Sequence, residues 1–562
     1  MKIGYIKHEN EKKLAAFYGE DWVELSGALP LSGEETVKTL EEFIKLYSER
    51  VPEVNDKLKA LYESGKLTEL SHPVKDALFL PPIPEVPKLF TGRGNSACFT
   101  RVTKGAVCRQ PVLEQRYNFN LTGHNFHEAR YADFVSSGWN YEMIAVFAKP
   151  CHGVTVEEAE EYIFGYTNML EHALGYKNYP FREGNVWASP DSEKVFADWA
   201  YEGCYNGNNH GHTPIGPWIV TKDEVGDPHE QTMLERESGR LVSFGFASAC
   251  VFTINEIIAY MSSFMTFYPG DMVNTASITY DGYQSMDPLP EKAYIEAKVE
   301  KIGTLRNWID DRTDRKYETI VTGPGSTMLI DLNSEEAFAD RGDPVRKYPR
   351  LLPVPKQTIA AGTELKLPYW RKNLKMYPQL YFVMDSDALM DSDNGAEGTV
   401  KGVGIGLGFT DDGILMASKK PSARDAHMCY WYSLYSDDSQ VLSDEIRKVP
   451  DARDIKLTIS SETLGTHVFD QKNLLFTPEE AVKEGGRCAS FAKGDIVSLG
   501  AAGKPVSVPC DKKFREGEVI TVSAEGFKPL KITVTDERDP ERVMPGWSPR
   551  PFFLEPEYNE FR

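Results

Sequence analysis

The stretch Phe-Thr-Ile-Asn-Glu at residues 252–256 returns as Phe-Thr-Pro-Glu-Glu at residues 476–480. In both copies the order Thr-x-x-Glu is that of a helix capping box, so each copy is predicted to open a helix. A Gly-Asp pair follows each copy at the same distance, at residues 270–271 and 494–495. Ordered matches at a constant offset indicate an internal duplication.

The composition limits the classes of function. A chain of 562 residues is too long for one ordinary core and predicts about two to four domains. The excess of 84 acidic over 63 basic residues argues against nucleic acid and anionic membranes as partners. The N-terminus has no signal-peptide pattern, and the 8 cysteines are scattered, without a C-x-x-C pair. These features predict a cytoplasmic protein without a disulfide framework or a zinc site.

Helix and turn signals divide the chain into four parts. Residues 1–80 are predicted to form a small N-terminal α/β domain, with a capping box at Ser32-x-x-Glu35 and a second helix at about residues 54–64. Residues 81–333 read as a β-rich block that begins with a Pro-rich linker, and a helix is expected after the capping box Thr155-x-x-Glu158. A Pro-, Arg- and Lys-rich linker is expected at residues 334–378, followed by a second copy at residues 379–562.

Six stretches of the first copy resemble the fumarylacetoacetate hydrolase superfamily, in the family's order: GRGNS at 92–96, NYEMIAVF at 140–147, FGYT at 164–167, PIGPWIVT at 214–221, YPGD at 268–271 and GTLRN at 303–307. The second copy resembles the C-terminal half of the same domain more weakly. The resemblance implies an α+β fold, namely a β-rich mixed β-roll duplicated in one chain behind the N-terminal α/β domain. It also implies a divalent metal, Mg²⁺ or Mn²⁺ with Ca²⁺ as a further option, held by acidic residues at the mouth of the roll.

In the family that the chain resembles, the metal is bound by a Glu-x-Glu pair on one strand and an Asp after the next helix. Residues two apart on a strand face the same side, and hard cations prefer oxygen donors. Here Asn140 stands at the first Glu, Glu142 matches the second, and Glu171 stands at the Asp. These three residues are the candidate ligands; the alternative is a vestigial site in which the two glutamates are solvated or paired with Lys149.

The second copy is expected to be structural. No strand before Asp444 offers Glu-x-Glu, and Lys420 stands in the place of a ligand, where its charge would expel a cation. The glycines alternating through residues 402–408 do not have the spacing of a nucleotide-binding loop and predict a strand with close neighbours.

The acid–base groups depart from the family's pattern. The His-Glu pair that activates water in relatives is absent after Arg93, and the segment with His124, His127 and Glu128 is the predicted substitute. Either His127 beside Glu128, or His124 across a helical turn from Glu128, would supply base and orienter. A surface loop with ordinary histidines is the alternative. Arg93 is a candidate anchor for a substrate carboxylate or enolate, or else a structural arginine.

Substrate contacts are expected from two further segments. His210 and His212 lie where relatives carry a substrate-binding lysine, although a flexible polar loop is an alternative reading. Thr275 and Ser277 keep two hydroxyls of a Thr-Gly-Thr run that lines the family's pocket.

The resemblance implies a metal-dependent hydrolase that cleaves a C–C bond in a 1,3-diketone or acylpyruvate-like substrate, possibly a cyclic one, through an enolate. One alternative is a lyase of the same fold, either a 2-oxo-3-deoxy sugar acid dehydratase or an oxo acid decarboxylase. The other is a non-catalytic scaffold with a decayed metal site. The expected partner is a small oxo acid or diketone, and the chain is expected to form a pseudo-dimer within itself or a homodimer.

Overall fold

The chain folds into two units in the computed structural model. Unit 1 contains residues 1–179, 206–314 and 549–562, and unit 2 contains residues 180–205 and 315–548. The structure describes residues 1–83, 88–92, 95–96, 111, 113–116, 121–131, 134–176, 213–277, 293–312, 326–343, 345, 349–391, 394–411, 430, 432–487 and 489–542.

The larger sheet of unit 1 holds most of the candidate site. Its strands are β1 (Lys2–His8), β2 (Glu11–Tyr18), β3 (Asp21–Glu24), β4 (Ser71–Pro73), β5 (Leu78–Phe79), β6 (Leu89–Gly92), β7 (Leu113–Gln115), β8 (Leu121–Thr122), β10 (Phe134–Phe147), β11 (Ile163–Tyr176), β12 (Thr213–Thr221) and β15 (Met272–Ser277). They follow the order β4-β3-β2-β1-β12-β11-β10-β15-β6-β7, with β5 beside β1 and β8 beside β12.

The second sheet of unit 1 has the order β14-β13-β16-β17-β9. Its strands are β9 (Phe126–Tyr131), β13 (Thr232–Glu237), β14 (Arg240–Phe246), β16 (Tyr294–Val299) and β17 (Gly303–Arg312). The pairs are antiparallel except β17 with β9, which is parallel.

Unit 2 also has two sheets. The first, in the order β19-β18-β26-β21-β22-β23 with β27 beside β21, contains β18 (Thr327–Ile330), β19 (Leu351–Val354), β21 (Leu374–Met384), β22 (Val400–Asp411), β23 (Gln440–Leu442), β26 (Ile496–Ser498) and β27 (Val506–Val508). The second, in the order β20-β29-β28-β24-β25, contains β20 (Glu364–Leu367), β24 (Lys456–Ser461), β25 (Gly465–Asp470), β28 (Val519–Ser523) and β29 (Leu530–Asp536).

The α-helices of the described residues are short. They include α1 (Leu25–Leu31), α2 (Leu40–Tyr47), α3 (Val51–Glu63), α4 (Lys222–Val225), α5 (Ile254–Ser262), α6 (Glu335–Arg341) and α7 (Pro478–Gly485). The two capping boxes of the internal repeat are confirmed, because the side chains of Thr253 and Thr477 accept the backbone N–H of Glu256 and Glu480 at the starts of α5 and α7.

Two other helix starts were predicted wrongly. The N-terminal capping box is formed by Thr39 and Glu42, and α2 begins at Leu40, so the box predicted at Ser32 does not open a helix. Thr155 and Glu158 do exchange capping hydrogen bonds, but only a 3₁₀ turn at Ala159–Tyr162 follows. The apolar residues after that turn, from Ile163 onward, belong to the strand β11 and do not form the predicted helix.

The N-terminal residues share their sheet and their core with the rest of unit 1. β1 pairs with β12 through Lys2 and Val220, and the buried Ile3 and Leu14 belong to the same apolar cluster as Ile144. A continuous sheet therefore runs from the predicted N-terminal domain into the β-rich block.

The predicted linker at residues 334–378 is folded, which corrects the sequence-based expectation. It contains α6, β19, β20 and the start of β21, and the part of unit 2 that precedes it already holds β18. Pro353 lies in β19, which ends its sheet, and edge strands tolerate proline. Pro353 is therefore compatible with a folded segment and does not mark a linker.

The two units have the same strand order in both sheets. β7-β6-β15-β10-β11-β12 of unit 1 corresponds to β19-β18-β26-β21-β22-β23 of unit 2, and β14-β13-β16-β17-β9 corresponds to β25-β24-β28-β29-β20. The irregularity between Val146 and Phe147 in β10 also recurs between Val383 and Met384 in β21. The correspondence extends beyond the C-terminal half-domain that the second copy resembles in sequence.

A buried asparagine makes the same pair of hydrogen bonds in each unit. Asn95 donates from Nδ2 to the carbonyl of Phe252 (2.9 Å) and accepts at Oδ1 from its N–H (2.6 Å). Asn333 does the same with Phe476, at 3.0 and 2.9 Å. Each asparagine thereby holds the residue before a capping threonine, which fixes where α5 and α7 begin.

Candidate active site

Two buried glutamates lie on neighbouring strands of the larger sheet. Asn140 on β10 pairs directly with Glu171 on β11, and Glu142 is two residues further along β10. Because alternate residues of a strand face one side, and cross-strand partners share that side, the backbone register turns Glu142 and Glu171 the same way. The side chain of Asn140 lies outside the described residues, so its role as a ligand stays a prediction. Glu142 and Glu171 are each 1% exposed.

Glu142 is oriented by an amide from the next strand. Asn274 donates from Nδ2 to Glu142 Oε2, and both side chains are buried. A register shift between β10 and β15 places Met143 opposite Ala276 but Ile144 opposite Asn274, so Thr275 is the extra residue. The shift places Asn274 on the same face of the sheet as Glu142. From the sequence alone, the candidate for this face was its neighbour Thr275.

Glu171 forms an ion pair with a buried arginine. The guanidinium of Arg116 contacts the Glu171 carboxylate, and both side chains are almost fully enclosed. Arg116 follows β7, which is four strands from β11 in the sheet, or about 19 Å at the usual strand spacing. The side chain cannot span that distance on a flat surface, so the sheet curls to bring its β7 end towards β11.

The donor set fits a hard cation. Two buried carboxylates on one face offer the oxygen ligands that Mg²⁺, Mn²⁺ and Ca²⁺ prefer. Among the described residues, no three or more His, Cys, Asp or Glu side chains form a cluster that could hold a metal ion. Arg116 reduces the negative charge of that set by one.

The equivalent positions in unit 2 cannot supply the same ligands. The shared register aligns Asn140 and Glu142 with Tyr377 and Gln379, and aligns Glu171 with Gly408. A Cβ at Gly408 would lie 2.7 Å from the ring of Tyr377, so the tyrosine fills the space of the missing side chain. The alternating glycines of residues 402–408 lie in β22, as predicted, and Lys420 lies outside the described residues.

The predicted pairing of His127 with Glu128 is wrong. Both lie in β9, where successive side chains point to opposite faces. His127 is exposed, stacks on Trp308 and lies 3.0 Å from a carboxylate oxygen of Asp310. Glu128 is buried on the other face and accepts a hydrogen bond from Asn307 Nδ2 (2.5 Å), and burial holds the pKa of its carboxyl well above the ordinary value.

His124 packs as part of the fold. Its ring lies edge-on to Phe79, and its Nδ1 accepts the backbone N–H of Arg306 (3.1 Å). Burial, and to a smaller degree the charge of Arg306, lowers the pKa of His124 from 6.5 to about 4. The alternative dyad of His124 and Glu128 needed a helix, and the chain forms β9 there.

The lowered pKa of His124 predicts a pH dependence of stability. Between pH 6.5 and 4 the unfolded chain binds a proton at this residue and the folded chain does not, so the free energy of unfolding falls as the pH falls, by up to about 1.4 kcal/mol per unit. His124→Asn keeps an acceptor for Arg306 N–H and should remove this contribution. Urea unfolding at several pH values measures the difference in slope, with the exposed His152→Asn as control; equal slopes in His124→Asn and the wild type would contradict it.

Several candidate residues lie outside the described residues. Arg93, His210 and His212 are among them, and their roles stay predictions. The backbone of Ser277 lies directly opposite Glu142, and that of Thr275 lies in β15, but their side chains are outside the description.

Arg116 and Asn274 were missed in the sequence. Arg116 follows a three-residue strand and has no local pattern, because its partner is 55 positions away and four strands across the sheet. Asn274 precedes the Thr275-Ala276-Ser277 run, and the register shift that brings it to Glu142 leaves no mark in the spacing. Only the curl of the sheet and the shift reveal these two contacts.

Known proteins match the part of the chain that forms this site. Residues 123–310 match the family described as Fumarylacetoacetate (FAA) hydrolase C-terminal. That match covers β10, β11, β12, β15 and the second sheet except the last two residues of β17, and it includes Glu142 and Glu171. Residues 123–310 form a fumarylacetoacetate hydrolase family domain. The prediction of this family from the six sequence stretches is confirmed.

Relatives of this family domain carry several activities in their names. The 2,4-didehydro-3-deoxy-L-rhamnonate hydrolase of Sphingomonas sp. (strain SKA58) is 24% identical over 208 residues, which are 36% of this chain and 66% of the relative. The 4-hydroxyphenylacetate degradation bifunctional isomerase/decarboxylase of Salmonella dublin is 29% identical over 202 residues, 36% of this chain and 42% of the relative. The chain thus spans less than two thirds of the length of these relatives.

Among solved structures, the maleylpyruvate hydrolase of Sphingobium sp. SYK-6 in complex with manganese(II) ion and pyruvate is 18% identical with a TM-score of 0.40. The likeness covers 55% of this chain and 99% of that chain. In the part of the chain that the structure describes, every helix is too short or too polar to cross a membrane.

Proposed function

We propose that this chain is a cytoplasmic, metal-dependent enzyme that hydrolyses a C–C bond in a 1,3-diketone or acylpyruvate-like substrate through an enolate. The observation that carries the proposal is the pair of buried carboxylates, Glu142 and Glu171, that face the same side of adjacent strands. Burying two carboxylates side by side is costly, and only one of them, Glu171, has the Arg116 guanidinium against it, so such a pair is a usual mark of a functional site.

In this proposal the chain's own residues hold and orient the cation. Glu142 and Glu171 supply charged oxygens, Asn140 supplies an amide oxygen, and Asn274 fixes the Glu142 carboxylate through its hydrogen bond. When bound, a divalent cation supplies Lewis-acid stabilisation of a developing enolate oxygen. The names of the two relatives, a hydrolase of a deoxy sugar acid derivative and an isomerase/decarboxylase, support a small organic acid as substrate.

A second candidate is a lyase of the same fold, either a 2-oxo-3-deoxy sugar acid dehydratase or an oxo acid decarboxylase. The observation that favours it is the separation of His127 and Glu128 onto opposite faces of β9, which removes the predicted dyad for activating water. Dehydration and decarboxylation do not require a water nucleophile.

The repeated strand order supports a duplicated ancestry for unit 2. Tyr377, Gln379 and Gly408 at the three ligand positions support a structural role for it, and an arrangement as pseudo-dimer or homodimer stays a prediction. A non-catalytic scaffold would require that unit 1 has also lost its site, and the burial of Glu142 and Glu171 argues against this.

Turnover of a substrate panel separates the candidates. The chain, stripped of metal and reloaded with Mg²⁺ or Mn²⁺, is incubated in ¹⁸O-water with 1,3-diketones, acylpyruvates, 2-oxo-3-deoxy sugar acids and oxo acids. Hydrolysis predicts two fragments, one of which carries ¹⁸O in a new carboxylate. A product that differs from the substrate only by the loss of water or CO₂ would establish the lyase instead. If no compound is turned over in a metal-dependent way, the non-catalytic scaffold is the remaining candidate.

A further inference from the structure

The ion pair between Arg116 and Glu171 is unusual for a carboxylate in a cation site. The arginine is fully enclosed and reaches Glu171 from the far end of the same sheet. Its backbone N–H also pairs with the carbonyl of Leu89 (2.9 Å), so the residue is fixed at the end of β7 and only its side chain can move far. The guanidinium thus places a positive charge against Glu171, the same carboxylate that is proposed to bind the metal ion.

Unit 2 shows what the shared architecture needs at these positions. The pairing of β6 with β7 in unit 1 and of β18 with β19 in unit 2 aligns Arg116 with Val354, while β11 and β22 align Glu171 with Gly408. The sheet therefore forms without either charge, and the arginine and its carboxylate are present together or absent together. The shared strand arrangement therefore does not require an arginine at this position.

A guanidinium and a divalent cation repel each other strongly when they contact one buried carboxylate, because little water screens them. Arg116 and a metal ion therefore cannot share Glu171 without a cost. In the chain as described, the arginine satisfies the charge of Glu171, and a metal ion must move it aside.

We infer that Arg116 is a built-in counter-cation of the metal site, which competes with the metal for Glu171 and thereby sets the metal affinity. The inference rests on the proposed function, because it takes Glu171 as a metal ligand. Arg116 is a positioning residue in this account: it holds the carboxylate in place in the metal-free chain and gives it up when the metal binds. The competing arginine lowers the affinity of the site, so that the metal exchanges more easily than it would without Arg116.

Calorimetric titration of Mn²⁺ into the metal-stripped full chain tests the inference. Arg116→Met removes the competing charge and should lower the Kd for Mn²⁺ by at least about tenfold. Arg116→Lys keeps the charge and should remain within about threefold of the wild type. Arg306→Met, which removes a guanidinium paired with Glu296 on the second sheet, is the matched control and should leave the Kd unchanged.

An unchanged or weaker Mn²⁺ affinity in Arg116→Met would overturn the inference. If that variant does not fold, Arg116→Gln, which keeps a donor for Glu171, gives the same comparison. Turnover of the wild type is measured alongside. If turnover depends on the metal but the Kd for Mn²⁺ is the same with and without Arg116, the inference about Arg116 is wrong and the proposed function still holds. Absence of both Mn²⁺ binding and turnover in every variant would reject the two together.

Discussion

Glu142→Gln is expected to lower kcat/KM by at least about a hundredfold while leaving the fold intact. The change replaces one carboxylate oxygen with an amide and keeps the other oxygen as acceptor for Asn274, so packing and the hydrogen bond survive. What is lost is one of the two negative charges of the cation site. Steady-state kinetics with saturating Mn²⁺ measure the effect on whichever compound of the substrate panel is turned over.

The matched control for this prediction is Glu161→Gln. Glu161 is 70% exposed and its ion-pair partner is the surface residue Lys149, so its loss should change kcat/KM by less than about twofold. Circular dichroism and melting temperature establish that both variants are folded. Undiminished turnover in Glu142→Gln would remove this carboxylate from the mechanism.

Glu171→Met is expected to destabilise the metal-free chain by about 3–5 kcal/mol, because it leaves the Arg116 guanidinium buried without its carboxylate. Replacing both residues, as Arg116→Met with Glu171→Met, should recover most of that loss, since the corresponding positions of unit 2 are uncharged. Glu462→Met breaks an exposed pair with Arg515 and should cost no more than about 1 kcal/mol.

Urea unfolding in EDTA, followed by hydrogen exchange of the β11 amides, measures these three variants. A local readout is needed because a chain of two units does not have to unfold in one step. If Glu171→Met is no less stable than the double variant, the loss of Glu171 does not leave a destabilising buried charge at Arg116. The ion pair would then be incidental to the stability of the sheet.

The local elements of this fold were predictable where short-range hydrogen bonds decide the structure. The capping boxes at Thr253 and Thr477 and the turn at residues 268–271 each involve residues within three positions of one another. The helix start predicted at Ser32 was wrong because a second capping box, at Thr39, precedes the same apolar residues and opens the helix there. The family resemblance identified the face with Glu142 and Glu171, since residue spacing along a strand fixes which way side chains point.

The rest of the site depends on contacts that spacing does not encode. His127 and Glu128 are adjacent in sequence, and only the assignment of β9 as a strand separates them onto two faces. Arg116 reaches Glu171 because the sheet curls, and Asn274 reaches Glu142 because of a one-residue register shift. The second copy was underestimated for a related reason: its strand order and hydrogen-bond register persist while the side chains at the ligand positions have changed.

The central claim is that Glu142 and Glu171 bind one divalent cation in unit 1 and that unit 2 binds none. The most direct test is the Mn²⁺ content of the full chain at equilibrium dialysis against a fixed free Mn²⁺ concentration, measured together with turnover before and after exhaustive chelation. The account predicts about one Mn²⁺ per chain in the wild type, almost none in Glu142→Gln, and turnover that disappears on chelation and returns with Mn²⁺. Equal Mn²⁺ content in the two proteins, or full turnover after chelation, would contradict it.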